Sequence, residues 1–76
     1  MDMRERVLEI LKQTRMDVDF ENETLLIDDG ILDSFDIIQI VSDLNEEFDI
    51  DITADELEPE NFNSLDAIVS LVESLE

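Results

Sequence analysis

Ser34 is the residue through which this 76-residue chain is most able to do chemistry. It stands between two acids in Asp33-Ser34-Phe35-Asp36, just ahead of an amphipathic run that ends at Phe48. Serine hydrolysis needs a neighbouring base, and the chain holds no histidine, no cysteine and only Lys12 as a lysine. A nucleophilic dyad or triad is therefore not expected, and no catalytic residue is assigned. Carboxylates are abundant, but so small a domain implies no cleft for paired-carboxylate chemistry. Asp28-Asp29-Gly30 followed by Asp33 lacks the EF-hand spacing and its closing glutamate, so no resident metal is expected. A serine that opens a helix without catalytic neighbours reads better as a point of attachment than as a nucleophile, and from composition alone an ordinary helix N-cap is the alternative.

The elements that must position Ser34 are helical. Met3, Val7, Ile10, Leu11 and Thr14 recur at spacings of three and four, which predicts a first helix over 3–15 with Asp2 and Glu5 as a capping pair. A second helix opens near Ser34, with Asp33 and Asp36 as its capping pair. Its residues Ile37, Val41, Leu44 and Phe48 form a stripe roughly 60° wide at about 100° per residue. Thr53-Ala54-Asp55-Glu56 reads as a capping box for a short helix that Pro59 stops. A last helix begins at Asn63 or Ser64 and carries Leu65, Ile68, Val69, Leu71, Val72 and Leu75 on its apolar face. Asp49 to Thr53 alternates like a strand but has no partner, so it reads as an extended connector that buries Ile52.

The segment from Asp17 to Asp33 is longer than most loops in compact domains. Phe20, Leu25, Leu26, Ile27, Ile31 and Leu32 are expected to tie it to the helices. Gly30, the sole glycine, lies where the chain turns into the second helix, and a positive φ is expected there. The fold class is thus all-α: one domain over 1–76, three main helices and one short helix, with a long loop between the first two.

Composition sets the partners. The formal net charge is −19, and every base lies in the first 15 residues, which carry +1 against −20 in the remainder. Nucleic acid and anionic membranes are poor partners for such a surface. Proteins with basic patches suit it. No apolar run suits a signal peptide or a membrane span, so a cytoplasmic monomer is expected. With 43% apolar residues, one glycine and one proline, the chain is not of disordered composition. Burial of only roughly 60% of its unfolded surface leaves little stability to spare.

Gly30-Ile31-Leu32-Asp33-Ser34-Phe35-Asp36 resembles the attachment motif of acyl carrier proteins, and the resemblance runs on through residues 37–48 and the final helix to span the chain. It implies an acyl-carrier-like bundle in which Ser34 receives 4′-phosphopantetheine from coenzyme A through a phosphopantetheinyl transferase. The thiol of that arm would hold an acyl thioester for partner enzymes of a fatty-acid, polyketide or specialised pathway. It also implies a cargo shelter, with Ile37, Ile40, Val41, Ile52, Phe62 and Ile68 as lining. Partner contacts would come from Asp33, Phe35, Asp36, Ile38, Gln39, Asp43, Glu46 and Glu47, with Asp36, Asp43, Glu46 and Glu47 as an exposed acidic face; the alternative is peripheral core packing for Ile38 and an inward fold against the loop for Phe35. Carriers of fatty-acid synthesis often have an acid where Gln39 stands, an apolar residue at Ser42, leucine at Phe35 and alanine at Leu32. The form found here is more like D-alanyl and other stand-alone carriers loaded by adenylating ligases. An aminoacyl carrier is therefore the alternative, and an unmodified acidic interaction module is the second.

Overall fold

The structure is a computed structural model that describes residues 2–76. Four helices follow in order: α1 (Met3–Thr14), α2 (Ser34–Phe48), α3 (Pro59–Phe62) and α4 (Leu65–Leu75), with a 3₁₀ turn at Ala54–Glu56 before α3. Helix α1 packs against both α2 and α4, and α3 packs against α4. The all-α bundle matches the expectation, and no strand occurs among the described residues.

Local chemistry explains each helix start. The Asp2 carboxylate accepts the Glu5 N–H at 2.9 Å, and Ser64 Oγ accepts the Ala67 N–H at 3.1 Å. Each satisfies one of the N–H groups that a helix N-terminus leaves without a backbone partner. Two readings are corrected around residue 56. The Thr53 side chain makes no capping bond, so the turn that follows is a single 3₁₀ turn. Pro59 does not merely stop that turn; it starts α3 as its first residue. Its fixed φ suits that position, where a missing N–H costs nothing.

The buried face of α2 is displaced from the expected stripe. Ile40, Leu44 and Phe48 are buried, whereas Ile37 and Val41 are only partly covered. The spacing alone leaves two neighbouring faces available. Packing in the bundle covers the one through Ile40, and Ile37 is left at the margin. Helix α2 ends with Asp49 in a left-handed conformation, its N–H bonded to the Asn45 carbonyl. Asn45 Oδ1 then accepts the Ile52 N–H at 2.9 Å, which pins the connector and buries Ile52.

The long loop is part of the core. Val18, Phe20, Leu26 and Leu32 are buried, whereas Leu25, expected to anchor it, is 44% exposed. Leu25 lies in a run of adjacent apolar residues of which the turn can direct only some inward. Asn63 holds the loop from the far side. Its carbonyl accepts the Leu26 N–H at 2.9 Å, and its Oδ1 accepts the N–H groups of Ile27 and Asp28 at 3.0 and 3.1 Å.

The placement of the bases now has a reason. Helix α1 lies between two acidic helices, and its arginines reach both: Arg4 pairs with Asp66 of α4 at 3.2 Å, and Arg6 with Glu47 of α2 at 2.8 Å. Arg6 also lies 4.4 Å from the centroid of the Phe48 ring, where it brings positive charge to the C-terminal end of α2. These pairs are largely exposed and contribute little individually. Repulsion among the remaining acids is visible at Glu58, whose carboxyl is held above its ordinary value by a hydrogen bond and then by charge from Glu60. Such a group favours folding while it is protonated, and that contribution is lost as pH rises through its folded value. With a formal net charge of −19, repulsion should dominate the ion pairs. The melting temperature is expected to rise as salt increases from ~10 mM to ~0.5 M, because screening shortens the reach of charge from about 30 Å to a few Å. Thermal denaturation followed by circular dichroism tests this, and a fall with salt would show that the ion pairs win.

Candidate functional site

The site is built where the loop becomes α2. Gly30 takes φ 70°, and nothing lies within 4 Å of where a Cβ would stand. The backbone conformation, not crowding, is what asks for glycine there. Leu32 then turns inward, its N–H bonded to the Leu26 carbonyl at 3.0 Å. Asp33 is the N-cap of α2, and Ser34 is its first helical residue. The capping box is reciprocal: Asp33 Oδ1 accepts the Asp36 N–H at 2.9 Å, and Asp36 Oδ2 accepts the Asp33 N–H at 3.4 Å.

This arrangement decides what Ser34 is free to do. Capping is carried out by the aspartate before it, so the exposed Ser34 hydroxyl has no hydrogen-bond partner among the described residues. The other serines are placed differently. Ser64 Oγ caps α4, Ser74 Oγ donates to the Leu71 carbonyl, and Ser42 and Ser70 lie within α2 and α4. The N–H groups of Ser34 and Phe35 also lack protein acceptors among the described residues. A helix end with free N–H groups and partial positive charge suits an anion attached at Ser34. The Asp33 carboxylate opposes that anion, although one of its oxygens already accepts from Asp36. The residues present therefore fit a phosphodiester on Ser34.

Arg15 is the residue that the sequence reading missed. From the C-terminal cap of α1, its Nη1 donates to Asp36 Oδ2 at 2.9 Å and to the Ile31 carbonyl at 3.1 Å. Its Nε and Nη2 grip Asp17, each at 3.0 Å. The hydrogen bonds from Arg15 hold the Asp17 carboxyl below its ordinary value. That pairing favours folding above the unfolded value, and its contribution is lost as pH falls through the folded one. Arg15 being the last base in the chain was the available signal; its partners are set by tertiary packing.

The expected acidic face of α2 is smaller than the sequence suggested. The Asp36 side chain is only 16% exposed and is paired with Arg15, so it does not belong to that face. Glu47 is half exposed and paired with Arg6, and Asp43 accepts from Gln39 Nε2 at 3.0 Å. Beside the exposed Asp33, the exposed neighbours of Ser34 on α2 are apolar: Phe35 at 82% and Ile38 at 64%, three residues apart on one helix face. Gln39 and Glu46 extend that exposed surface along the helix.

Beside the start of α2 lies a cavity of about 110 Å³ lined by Ile27, Ile37, Leu57, Glu58, Pro59 and Phe62. Of the expected cargo lining, Ile37 and Phe62 border it. Ile40, Ile52 and Ile68 are buried in the core, and Val41 packs at its edge. No helix among the described residues is long and apolar enough to cross a membrane.

The chain matches the family described as "Phosphopantetheine attachment site" over residues 2–72. It is 36% identical to a D-alanyl carrier protein of Lactobacillus acidophilus, an alignment covering 100% of this chain and 98% of the relative. A D-alanyl carrier protein of Listeria monocytogenes is 32% identical, with 99% of each chain covered. Aminoacyl carrier protein 1 of Bradyrhizobium diazoefficiens is 32% identical, over 93% of this chain and 82% of that protein. A helical bundle with a free serine hydroxyl at a capped helix start, and family resemblance along nearly its whole length, therefore belongs to the phosphopantetheine-binding carrier proteins.

Proposed function

We propose that Ser34 carries the 4′-phosphopantetheine and that the loaded arm bears a small aminoacyl group of the D-alanyl kind. The observation that carries the first part is the division of labour at the helix start, where Asp33 caps and leaves the Ser34 hydroxyl free. In the transfer, Ser34 Oγ bonds to the phosphorus of coenzyme A next to the pantetheine. The bond to the nucleotide breaks, adenosine 3′,5′-bisphosphate leaves, and the hydroxyl proton passes to a base of the transferase. Once attached, the arm supplies the thiol that this cysteine-free chain lacks. The chain itself binds, presents and releases, and performs no catalysis.

The cargo reading rests on two supports. The relatives named above are D-alanyl and aminoacyl carriers. The cavity of about 110 Å³ is also far below the roughly 300–1,000 Å³ typical of sites that enclose a drug-sized ligand. A small amino acid needs no such enclosure. Docking would use Phe35 and Ile38 beside Ser34, with Asp33, Gln39, Asp43 and Glu46 around them and the net charge steering partners with basic patches. Loading takes place in the cytoplasm, where coenzyme A and ATP are available, on a monomer.

The test begins with the protein, coenzyme A, magnesium and a broad-specificity transferase, followed by intact mass. The modified protein is then offered D-alanine, ATP and a D-alanine-adenylating ligase, or a long-chain fatty acid, ATP and an acyl-carrier synthetase. A hydroxylamine-labile D-alanyl adduct is expected, with little fatty-acyl adduct. Fatty-acyl loading without aminoacyl loading would move the protein to lipid synthesis. No phosphopantetheine on a folded sample would return it to an unmodified binding module.

A further inference from the structure

Ser34 lies within a short segment whose two ends are gripped by one side chain. Gly30 turns the chain at φ 70°, Ile31 follows with its carbonyl on Arg15 Nη1, and Asp36 closes the first turn of α2 with its carboxylate on the same nitrogen. The guanidinium is anchored from behind by Asp17 through two bonds of 3.0 Å, so its plane is fixed by a bidentate pairing. Asp36 is shared between this contact and the capping box, since its Oδ2 also accepts the Asp33 N–H. The side chain of Arg15 is 33% exposed and that of Asp36 16%, which places the contact partly away from water, where it is firmer than the chain's outer ion pairs. The core holds the rest of α2 through Ile40, Leu44 and Phe48, beyond the first turn. Leu32 anchors the middle of the segment in the core, and among the described residues Arg15 alone hydrogen-bonds from the end of α1 to both the end of the loop and the first turn of α2.

We propose that Arg15 is a positioning residue for modification of Ser34, fixing the Ile31–Asp36 segment so that the serine hydroxyl is aligned before the transferase arrives. Arg15 makes no hydrogen bond to Ser34 and acts through Asp36 and the Ile31 carbonyl. Its loss therefore leaves the docking surface of α2 in place and loosens the atom that must attack. The signature is a fall in kcat with the KM for the carrier nearly unchanged. Lysine at this position can meet Asp36 with a single ammonium but cannot reproduce the fork that also holds Asp17 and Ile31.

This inference rests on Ser34 being the modified serine. Initial rates of phosphopantetheine transfer from coenzyme A are measured for the wild type and for Arg15→Ala, Arg15→Lys and Asp36→Asn. They are taken at low and high salt, with the folded fraction of each determined by circular dichroism. Misplacement of a reacting atom by about 1 Å can cost up to ~10²-fold, so a kcat loss of about tenfold or more is expected for Arg15→Ala. KM should stay within about threefold, and Arg15→Lys should fall between the two. Asp36→Asn keeps the side-chain oxygen for the cap but removes the ion pair, and should lose kcat as well. It supplies the answer if Arg15→Ala does not fold. Wild-type rates per folded molecule in these variants, or a loss confined to KM, would overturn the positioning role and leave Ser34 as the site. A wild type that gains no group would overturn the reading of Ser34 itself.

Discussion

Replacing Ser34 with alanine is expected to abolish the mass gain from coenzyme A while leaving the fold and melting temperature almost unchanged. The hydroxyl is exposed and makes no hydrogen bond among the described residues, so its removal leaves no buried group unpaired. Alanine is a good helix former, and an exposed substitution of this kind usually changes stability by no more than about 0.5 kcal/mol. Ser64→Ala is the informative contrast. That oxygen accepts the Ala67 N–H, so its loss should cost about 1 kcal/mol as a missing cap and leave modification intact. One serine would then affect chemistry without stability, and the other stability without chemistry. Continued mass gain in Ser34→Ala would transfer the site to another hydroxyl, with Ser42, Ser70 and Ser74 the other exposed serines.

Phe20→Ala should have the largest effect on folding, although Phe20 lies in a loop. The ring is 1% exposed and belongs to the same core as Leu11, Leu44 and Ile68. Truncating a buried phenylalanine costs about 3–5 kcal/mol. At about 0.05–0.15 kcal/mol per residue, the whole domain has only about 4–11 kcal/mol to lose. Each kcal/mol corresponds to about 4–8 °C in a domain of this size, so a fall of at least about 12 °C is expected, or a chain already unfolded at room temperature. Thermal unfolding by circular dichroism reads this directly. Phe35→Ala, which removes an aromatic ring that is 82% exposed, should move the transition by no more than a few degrees. A small effect at Phe20 would mean that the loop is not part of the cooperative core.

The two phenylalanines also show where sequence reading succeeds and where it stops. Helix existence, the Asp33–Asp36 cap, the positive φ at Gly30 and the start of α4 near Ser64 were all legible, because each depends on residues close together in the chain. Burial of Phe20 could be expected from its composition as a large apolar side chain, but so could burial of Leu25, which is exposed. The Thr53 box looked right locally and does not form. Asp36, Asp43, Glu46 and Glu47 look equally free along α2, yet Asp36 and Glu47 are held by arginines of α1 and its C-terminal cap.

The sequence by itself determined that the chain is helical, strongly acidic and free of histidine and cysteine, and that a serine opens its second helix. Those properties follow from periodicity, composition and capping chemistry, which act over a few residues. The tertiary structure decided which face of α2 is covered, because the spacing offers two neighbouring apolar faces and packing buries the one through Ile40. It decided which acids are neutralised, because ion pairs need side chains brought within about 4 Å from distant positions. It also placed one arginine of α1 across the loop and the first turn of α2, a contact between residues 16 and 21 positions apart that no local pattern specifies.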